Sequence, residues 1–363
     1  MVSKFPVNTL LIDGNYLLKR SFNGAKHTFN GERHIGGLYQ FIMQTRSLIR
    51  SQNINKVVVF WDGENGGKLR YNIYNDYKAN REGKEWYKKI DLTPYELRKQ
   101  QQEKESYLWQ MVRVKNYLEE LFIRQVQVDQ IESDDMIAYY CQKYNDKENI
   151  TIYTNDRDMC QLLEYNNISV YIANLKQNVT KKNYYLLFKH HYTNLTVIKT
   201  MCGDDSDNIS GIDGLGESTL LKHFPKIQTE KVRAATIIRE AREINEQRIS
   251  NKKKPLKVLE NIVEGIFKTY GKVGLDQYKL NYKIINLLEP FLTKEAMAEL
   301  VLVAEEPLDP NGRGEENLLK MLTEDAYLEN YNADFLRFHE PFYPVILREK
   351  DFFKKKHAYL NKQ

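Results

Sequence analysis

Acidic residues recur in this 363-residue chain at the ends of short apolar runs, where carboxylates could bind metal ions. Residues 7–12 end at Asp13, residues 56–61 end at Asp62, and later apolar runs are also followed by acids. A single Asp-x-Asp is typical of a solvated surface or a helix cap, whereas recurrence after several runs favours one shared site. The nine acids of this set are Asp13, Asp62, Glu132, Asp134, Asp135, Asp156, Asp158, Asp204 and Asp207.

Carboxylates gathered in this number indicate a site for hard divalent cations. Nine of them converging on one edge could not all stay ionised unless cations neutralise them. A ligand set with oxygen atoms alone, and no His or Cys, prefers magnesium or manganese to zinc. Two such ions about 4 Å apart would activate a water and stabilise the leaving oxygen in phosphodiester hydrolysis. The acids therefore predict metal-dependent cleavage of a phosphodiester.

A glycine-rich turn lies next to the last acids, within residues 201–224. Gly214 and Gly216 allow a tight turn and a close backbone approach, and the N–H groups that begin the next helix favour a phosphate. A turn that merely joins two helices is the simpler interpretation of Gly-Leu-Gly by itself. The preceding acids favour a site for a nucleic-acid backbone.

Composition limits the class of protein. With 42% hydrophobic and 28% charged residues, the chain is an ordinary globular protein of about two domains. No apolar run approaches the roughly 20 residues of a membrane helix, and no signal peptide is recognised, so we expect an intracellular, cytoplasmic protein. Cys141, Cys160 and Cys202 lack paired spacing, which argues against zinc and disulfides. The net charge is +5, and clustering the acids would leave a basic surface suited to a polyanion.

The elements that position the acids follow a doubly wound α/β pattern. Short apolar strands are predicted at 7–12, 56–63, 124–128, 150–153 and 168–172, and amphipathic helices alternate with them. Right-handed crossovers between parallel strands would place all the strand ends on one edge of the sheet.

The remaining stretches are predicted to be mainly helical. Residues 80–106 carry seven Lys or Arg and no sustained apolar face, so they are not expected in the core, and a helical stripe returns at 107–122. Further helices are expected at 230–248, 256–290 and 293–304, followed by a linker at 305–314.

Six motifs of this chain, in their order and spacing, resemble the flap endonuclease and 5'-3' exonuclease family, particularly its bacteriophage and bacterial members. The motifs are LLIDGNYLLKRSF, VVFWDG, YKANR, IESDD, TNDRDMCQL and GDDSDNISGIDGLGESTLLKHF. The resemblance covers about residues 7–288. It implies an α/β core with a mostly parallel central sheet flanked by helices, a helical arch, and a C-terminal helical region containing a helix-three-turn-helix. We expect the nuclease core at 1–190 with the arch at 80–106, the duplex-binding region at 191–290, and an extension of unknown role at 291–363.

The resemblance also assigns residues. It implies that Asp13, Asp62, Glu132, Asp134 and Asp135 lie near a first metal ion and that the other four acids complete a second site. It suggests that Lys78 and Arg81 reach the scissile phosphate, that Tyr77 stacks on a terminal base, and that the helix-three-turn-helix binds potassium. If residues 80–106 were helical, Arg81, Lys84 and Lys88 would share one face that could line a passage for single-stranded nucleic acid. The remaining expected contacts to nucleic acid are Arg20, Gly214, Leu215, Gly216 and Lys222.

These features predict a structure-specific 5' nuclease, using two Mg²⁺ ions or Mn²⁺ in their place, that acts in replication or repair. The expected substrates are DNA with a 5' flap, 5' overhang or nick, and RNA–DNA hybrids, including RNA primers. We expect a monomer; contact with a sliding clamp or a single-strand-binding protein has weak support, since Glu349 stands where a clamp peptide has an apolar anchor. A PIN-type endoribonuclease, which needs only about four acids, is one alternative. A non-catalytic protein that binds branched DNA is the other.

Overall fold

The structure is a computed structural model that describes residues 6–81, 93–331 and 334–360. The strands are β1 (Val7–Asp13), β2 (Phe29–Asn30), β3 (Arg33–His34), β4 (Lys56–Asp62), β5 (Arg124–Val128), β6 (Glu148–Thr154), β7 (Ile168–Ile172), β8 (Gln177–Val179), β9 (Ile266–Phe267) and β10 (Gly271–Lys272). The helices of the first half are α1 (Gly14–Gly24), α2 (Gly36–Ser51), α3 (Lys68–Tyr71), α4 (Pro94–Glu120), α5 (Ser133–Tyr144), α6 (Tyr184–Phe188) and α7 (Leu195–Cys202). Those of the second half are α8 (Glu217–His223), α9 (Ala234–Ser250), α10 (Lys257–Glu264), α11 (Asp276–Ile285), α12 (Lys294–Glu305), α13 (Glu315–Glu324), α14 (Tyr327–Tyr331), α15 (Phe335–His339) and α16 (Tyr343–Leu360).

One six-stranded sheet, in the order β5-β4-β1-β6-β7-β8, organises the N-terminal half. Adjacent strands from β5 to β7 are parallel, and β8 pairs antiparallel with β7. The carboxyl ends of the parallel strands therefore lie on one edge, which is where ligands bind in open α/β sheets. The predicted α/β fold with a mostly parallel central sheet is confirmed.

The apolar runs are continuous because both faces of the sheet are buried. Successive side chains of a strand point to opposite faces. Accordingly, Leu10 and Ile12 belong to a core with Phe41 of α2, whereas Leu11 belongs to a second core with Met136 of α5. This double burial fixes β1, and with it the acid at its end.

Helix α4 is longer than the apolar stripe predicted. It starts at Pro94 with a capping box, in which Thr93 and Glu96 satisfy each other's backbone N–H groups, and continues for 27 residues. Its first turns are mostly exposed, and burial begins at Gln110. Residues 93–106 of the expected arch are thus the outer half of a helix anchored in the core. The preceding residues 82–92, with Lys84 and Lys88, lie outside the described residues.

The prediction of helix throughout 256–290 is wrong. Helices α10 and α11 are separated by the hairpin β9–β10. Gly265 has a left-handed φ of +66°, and a Cβ there would stand 2.5 Å from the backbone of Gly274. The backbone can reverse here because this position is a glycine.

The C-terminal helices pack on the same cores as the sheet. Leu300 of α12 lies in the core with Met136, and Phe342 lies in the core with Leu10. Residues 306–314, within the predicted linker, have no helix or strand. No helix in the described ranges is long and apolar enough to cross a membrane.

Candidate active site

Three strand ends deliver carboxylates to one edge of the sheet. Asp13 ends β1 and caps α1, where its side chain accepts a hydrogen bond from the Tyr16 N–H at 2.9 Å. Asp62 ends β4 and accepts from the Ser133 N–H at 2.8 Å, which ties this strand to the start of α5. Asp156 follows β6 and accepts from the Asp158 N–H at 2.8 Å. Asp13 and Asp156 therefore also fix the turns that follow their strands, and Asp62 joins β4 to α5.

A small polar cavity lies beyond this edge. Its acidic lining residues are Asp134, Asp156, Asp158, Asp204 and Asp207, and Arg70 and Tyr77 complete the polar lining. We call it the acid cavity. The structure thus brings together acids from three separate parts of the sequence: the start of α5, the segment after β6, and the segment after α7.

Mutual repulsion marks the centre of this cluster. Burial, followed by the charges of Asp62 and Asp156, raises the pKa of Asp13 to about 7. Burial and the charges of Asp156 and Asp13 raise the pKa of Asp134 well above its usual value. These carboxyl groups are close enough to disfavour one another's ionised forms, which is the condition under which an added cation is stabilised.

Two cations balance the acids beside the Tyr77 side of the cavity. The Arg70 Nη1 donates to Glu132 at 2.7 Å, and Arg70 Nη2 donates to Asp135 at 2.9 Å. The Lys78 ammonium also pairs with Glu132. Burial opposes ionisation of Glu132, but Lys78 and Arg70 outweigh it and lower its pKa. Sequence reasoning missed Arg70, since an arginine in Gly-Gly-Lys-Leu-Arg carries no signal of a buried partner.

Lys199 balances the acids at the opposite side. Its Nζ lies 2.7 Å from Asp204 and also pairs with Asp158. Burial and Asp156 raise the pKa of Asp158 to about 7, whereas burial of Asp204 is overcome by Lys199 and Ser206, so that its pKa is lowered. Sequence reasoning missed Lys199 as well. Its position five residues before Asp204, at the end of a short helix, was the available signal.

Tyr77 and Lys78 have different surroundings. The Tyr77 side chain is 7% exposed, and its hydroxyl donates to Glu132 at 3.1 Å and to Asp207 at 3.4 Å. This buried donor does not present the free ring face that stacking on a base requires, so the placement contradicts the expected stacking. Lys78 has a left-handed φ of +55°, its N–H donates to the Asp207 carbonyl at 2.9 Å, and its side chain is 23% exposed.

The other expected nucleic-acid contacts are spread over the molecule. Arg20 is exposed on α1 and donates to Tyr16 and Asn174, each at 2.9 Å. Arg81 lies in a short 3-10 turn, Ala79–Arg81, and its side chain lies outside the described residues, as do Lys84 and Lys88.

The glycine-rich turn before α8 is open on its outer side. Gly214 has a φ of +74°, and no atom would contact a Cβ at Gly214 or Gly216 within 4 Å. Lys222 is exposed at the end of α8. Leu215 is 2% exposed and packs in a third core, formed within residues 197–278, so its side chain is not a contact for nucleic acid. Its backbone N–H already donates to the Ile212 carbonyl at 3.1 Å.

The acids suit hard divalent ions in type, and the structure shows how their charges are balanced by protein groups. Within the described ranges, no three Asp, Glu, His or Cys side chains form a group that could hold a metal ion as they stand. Arg70, Lys78 and Lys199 draw four of the acids to themselves. Asp13, Asp134 and Asp158, whose pKa values are raised by burial and by neighbouring acids, are carboxyl groups whose ionised forms a further cation would favour. Oxygen donors and this repulsion together fit Mg²⁺ or Mn²⁺.

Comparison with known proteins agrees with this arrangement. The model of the 5'-3' exonuclease, N-terminal resolvase-like domain, matches residues 8–193. A 5'-3' exonuclease of Mycoplasmopsis pulmonis is 27% identical over 60% of this chain and 67% of its own length. A 5'-3' exonuclease of Bacillus subtilis is 28% identical over 61% of this chain and 70% of its own length.

Solved structures share the fold. The 5'-exonuclease of phage T5 with bound divalent metal ions is 17% identical, with a TM-score of 0.56, and the match covers 89% of this chain and 98% of the phage protein. At this identity the match shows a common fold. Together with the family match over more than half of the residues, it leads to one conclusion: this chain belongs to the 5'-3' exonuclease family defined by the N-terminal resolvase-like domain.

Proposed function

We propose that this nuclease is metal-dependent and structure-specific, and that it hydrolyses phosphodiesters near 5' ends or single-strand/double-strand junctions. The observation that carries the proposal is the convergence of acids from separate segments on the carboxyl edge of the sheet, with Lys78 beside them. Acids in this number serve little purpose in a protein that only binds DNA. The proposed substrates are DNA with a 5' flap, 5' overhang or nick, and RNA–DNA hybrids.

Two ions, Mg²⁺ or Mn²⁺, are proposed to bind among the acids. Asp13, Asp62 and Asp134 would hold one with Glu132, and Asp156, Asp158, Asp204 and Asp207 would hold the other. When bound, the ions supply a water nucleophile at neutral pH and neutralise charge on the phosphate. The acids orient the ions, and burial excludes bulk water.

Lys78 is proposed to bind the scissile phosphate directly. Burial opposes its charge, but Glu132, Tyr77 and Asp207 raise its pKa well above the usual value, so the ammonium stays protonated. The hydrogen bond from its N–H to Asp207 fixes its backbone beside the acid cavity. A charged donor held in this way stabilises negative charge that develops on the phosphate without reorganisation during the reaction.

The turn at 211–216 and α8 are proposed to bind the duplex part of the substrate. The open backbone at Gly214 and Gly216 can approach a phosphate, and Lys222 adds a positive charge nearby. Potassium at this turn stays a prediction. The fold shared with a phage T5 flap endonuclease, solved with DNA and metal ions, motivates the choice of a flap substrate.

A 5'-flap duplex labelled at its 3' end provides the test. The wild type should cut near the junction with Mg²⁺ or Mn²⁺ and not with EDTA, and Asp156→Asn should lose at least about a hundredfold in cleavage while binding the flap within about threefold of the wild type. Metal-independent cutting, or full turnover by Asp156→Asn, would refute the two-ion proposal. An RNA hairpin with a single-stranded loop, incubated with the enzyme under the same conditions, separates this activity from that of a PIN-type endoribonuclease. A PIN-type enzyme would cut the RNA in preference to the flap.

A further inference from the structure

Two neighbouring acids at the start of α5 have unlike surroundings. Asp134 lines the acid cavity together with Asp156 and Asp207. Asp135 is not among the lining residues of this cavity and is 1% exposed. Adjacent helical residues point in directions about 100° apart, so one can face the cavity while the other faces the interior.

Both carboxylate oxygens of Asp135 already have strong donors. Oδ1 accepts from Arg70 Nη2 at 2.9 Å and from the Phe291 N–H at 2.9 Å, and Oδ2 accepts from Arg70 Nη1. This is the two-pronged geometry in which a guanidinium binds a carboxylate most strongly.

Arg70 is held firmly in turn. It is 3% exposed, and its Nε donates to the Ile284 carbonyl at 3.0 Å. Its guanidinium lies 4.8 Å from the centre of the Phe291 ring and 5.8 Å from that of Tyr77. Since a buried guanidinium without its carboxylate would be strongly destabilised, Arg70 and Asp135 are fixed as a pair.

Glu132 has one donor that can move, the Lys78 ammonium. It shares Arg70 Nη1 at 2.7 Å, and its other main partners are the Lys78 ammonium and the Tyr77 hydroxyl. The Lys78 side chain is 23% exposed and flexible, and it can turn to a phosphate. Glu132 can therefore exchange the Lys78 ammonium for a metal ion, whereas Asp135 cannot do so without removing the two-pronged carboxylate partner of the buried Arg70 guanidinium.

We propose that Asp135 is not a metal ligand but a positioning residue, which anchors Arg70 so that Arg70 holds Glu132 beside Tyr77 and Lys78. This inference rests on the proposed metal-dependent function and narrows its ligand set. It assigns the adjacent acids of the Ser-Asp-Asp segment to different tasks: Asp134 binds metal, and Asp135 fixes the guanidinium.

A pair of charge-balanced double variants tests the assignment. Arg70→Gln with Asp135→Asn, and Arg70→Gln with Asp134→Asn, each remove one positive and one negative buried group, so they differ only in which acid is lost. Calorimetric titration of Mn²⁺ without nucleic acid counts the ions bound. The Asp135 double should bind as many ions as the wild type, with affinity lowered about tenfold because Arg70 no longer positions Glu132, and the Asp134 double should lose one ion.

Thermal unfolding in EDTA provides a second readout. Arg70→Gln alone should lower Tm by about 5 °C or more, because it leaves a buried carboxylate unpaired, and adding Asp135→Asn should recover part of the loss. Loss of an ion by the Asp135 double, or the absence of any thermal recovery, would overturn the proposal.

The wild type supplies a test that does not depend on the folding of any variant. If Asp135 stays with Arg70, hydrogen exchange of the Phe291 amide should not speed up when Mg²⁺ is added. Faster exchange at Phe291 would mean that Asp135 has moved to the metal, which refutes this assignment and leaves the nuclease proposal intact. A wild-type protein that binds no Mn²⁺ would refute both.

Discussion

At the scale of single residues, the acids differ in how their charge is balanced. Glu132 and Asp204 have lowered pKa values because lysines and Arg70 lie beside them. Asp13 and Asp134 have raised pKa values because burial and neighbouring acids dominate. A cation added beside the second pair would favour their ionised forms.

Lys78 provides the residue-scale prediction. Lys78→Ala should slow single-turnover cleavage of a 5'-flap duplex by about a hundredfold or more, because it removes a charged donor already in place before the reaction. Lys68→Ala, which alters an exposed lysine ten residues earlier, should leave the rate within about twofold. Rates are measured by rapid quench at saturating enzyme. If Lys78→Ala weakened only substrate binding, Lys78 would be a surface contact and not part of the chemistry.

At the scale of elements, the acids and the expected substrate contacts lie on elements that differ in their exposure to solvent. The acids of the sheet follow buried strands, the glycine-rich turn precedes the short helix α8, and the exposed outer turns of α4 stand away from the core. A buried strand fixes a side chain precisely enough for catalysis, whereas exposed turns are better suited to contacting a long polyanion. The chemistry and the substrate contacts are thus separable by mutation.

Helix α8 gives a prediction about binding. Lys222→Ala should weaken duplex affinity and reduce the slope of log affinity against log salt by about one, because one phosphate contact is lost. Cleavage at saturating enzyme should stay within about twofold of the wild type. Fluorescence anisotropy over a salt series measures the slope, and Lys355→Ala on α16 serves as a control with an unchanged slope. An unchanged slope for Lys222→Ala would place the duplex elsewhere.

The outer half of α4, with the residues before it, gives a prediction about substrate entry. The side chains of α4 before Gln110 are largely exposed, so we expect this segment to guide a single strand to the acids. Streptavidin bound to a 5'-biotinylated flap before the enzyme is added should block cleavage. Streptavidin added after the enzyme, while Ca²⁺ prevents cleavage, should trap the enzyme on the flap. This complex should cut once Mg²⁺ is supplied. Equal cutting in both orders would show that the segment attracts DNA without threading it.

At the scale of the whole molecule, the C-terminal helices belong to the nuclease core. Phe338 and Val345 pack in the same cluster as Ile12 of the central strand. Arg124 and Glu349, each 1% exposed, form a buried ion pair between β5 and α16, with Nε to Oε1 at 3.2 Å. We therefore propose that residues 291–363 stabilise the core, and the boundaries 1–190 and 191–290 stay a proposal about the remaining chain.

The buried ion pair gives a stability prediction. Glu349→Ala should lower the free energy of unfolding by about 3 kcal/mol or more, because it leaves Arg124 charged and unpaired in the core. Asp351→Ala, two residues later, removes an exposed ion pair with Lys355. It should change the free energy of unfolding by less than about 1 kcal/mol. Urea unfolding measures both. Equal effects would mean that α16 is not fixed on β5.

The family and the acids could be predicted from the sequence because their signals are local. An apolar run that ends in Asp-Gly indicates a buried strand with an acid at its end, as at Asp13 and Asp62, and parallel topology then brings such ends together. Asp13 and Asp62 are identified by this pattern, and the other seven acids by their places near element ends and in the family motifs. Their roles as metal ligands stay a prediction.

Only the tertiary structure decided which groups face one another. Arg70 lies 62 residues from Glu132 along the chain and meets it through the packing of α3 on α5, so no spacing rule could find the pair. Tertiary packing also buries Tyr77 and Leu215, in two separate clusters, although the sequence presents both as contacts for nucleic acid. Hydrophobic periodicity determines which elements form, since it acts over a few residues. The pairing of buried charges depends on how elements distant in the sequence pack together, and this packing is determined only when the hydrophobic cores form.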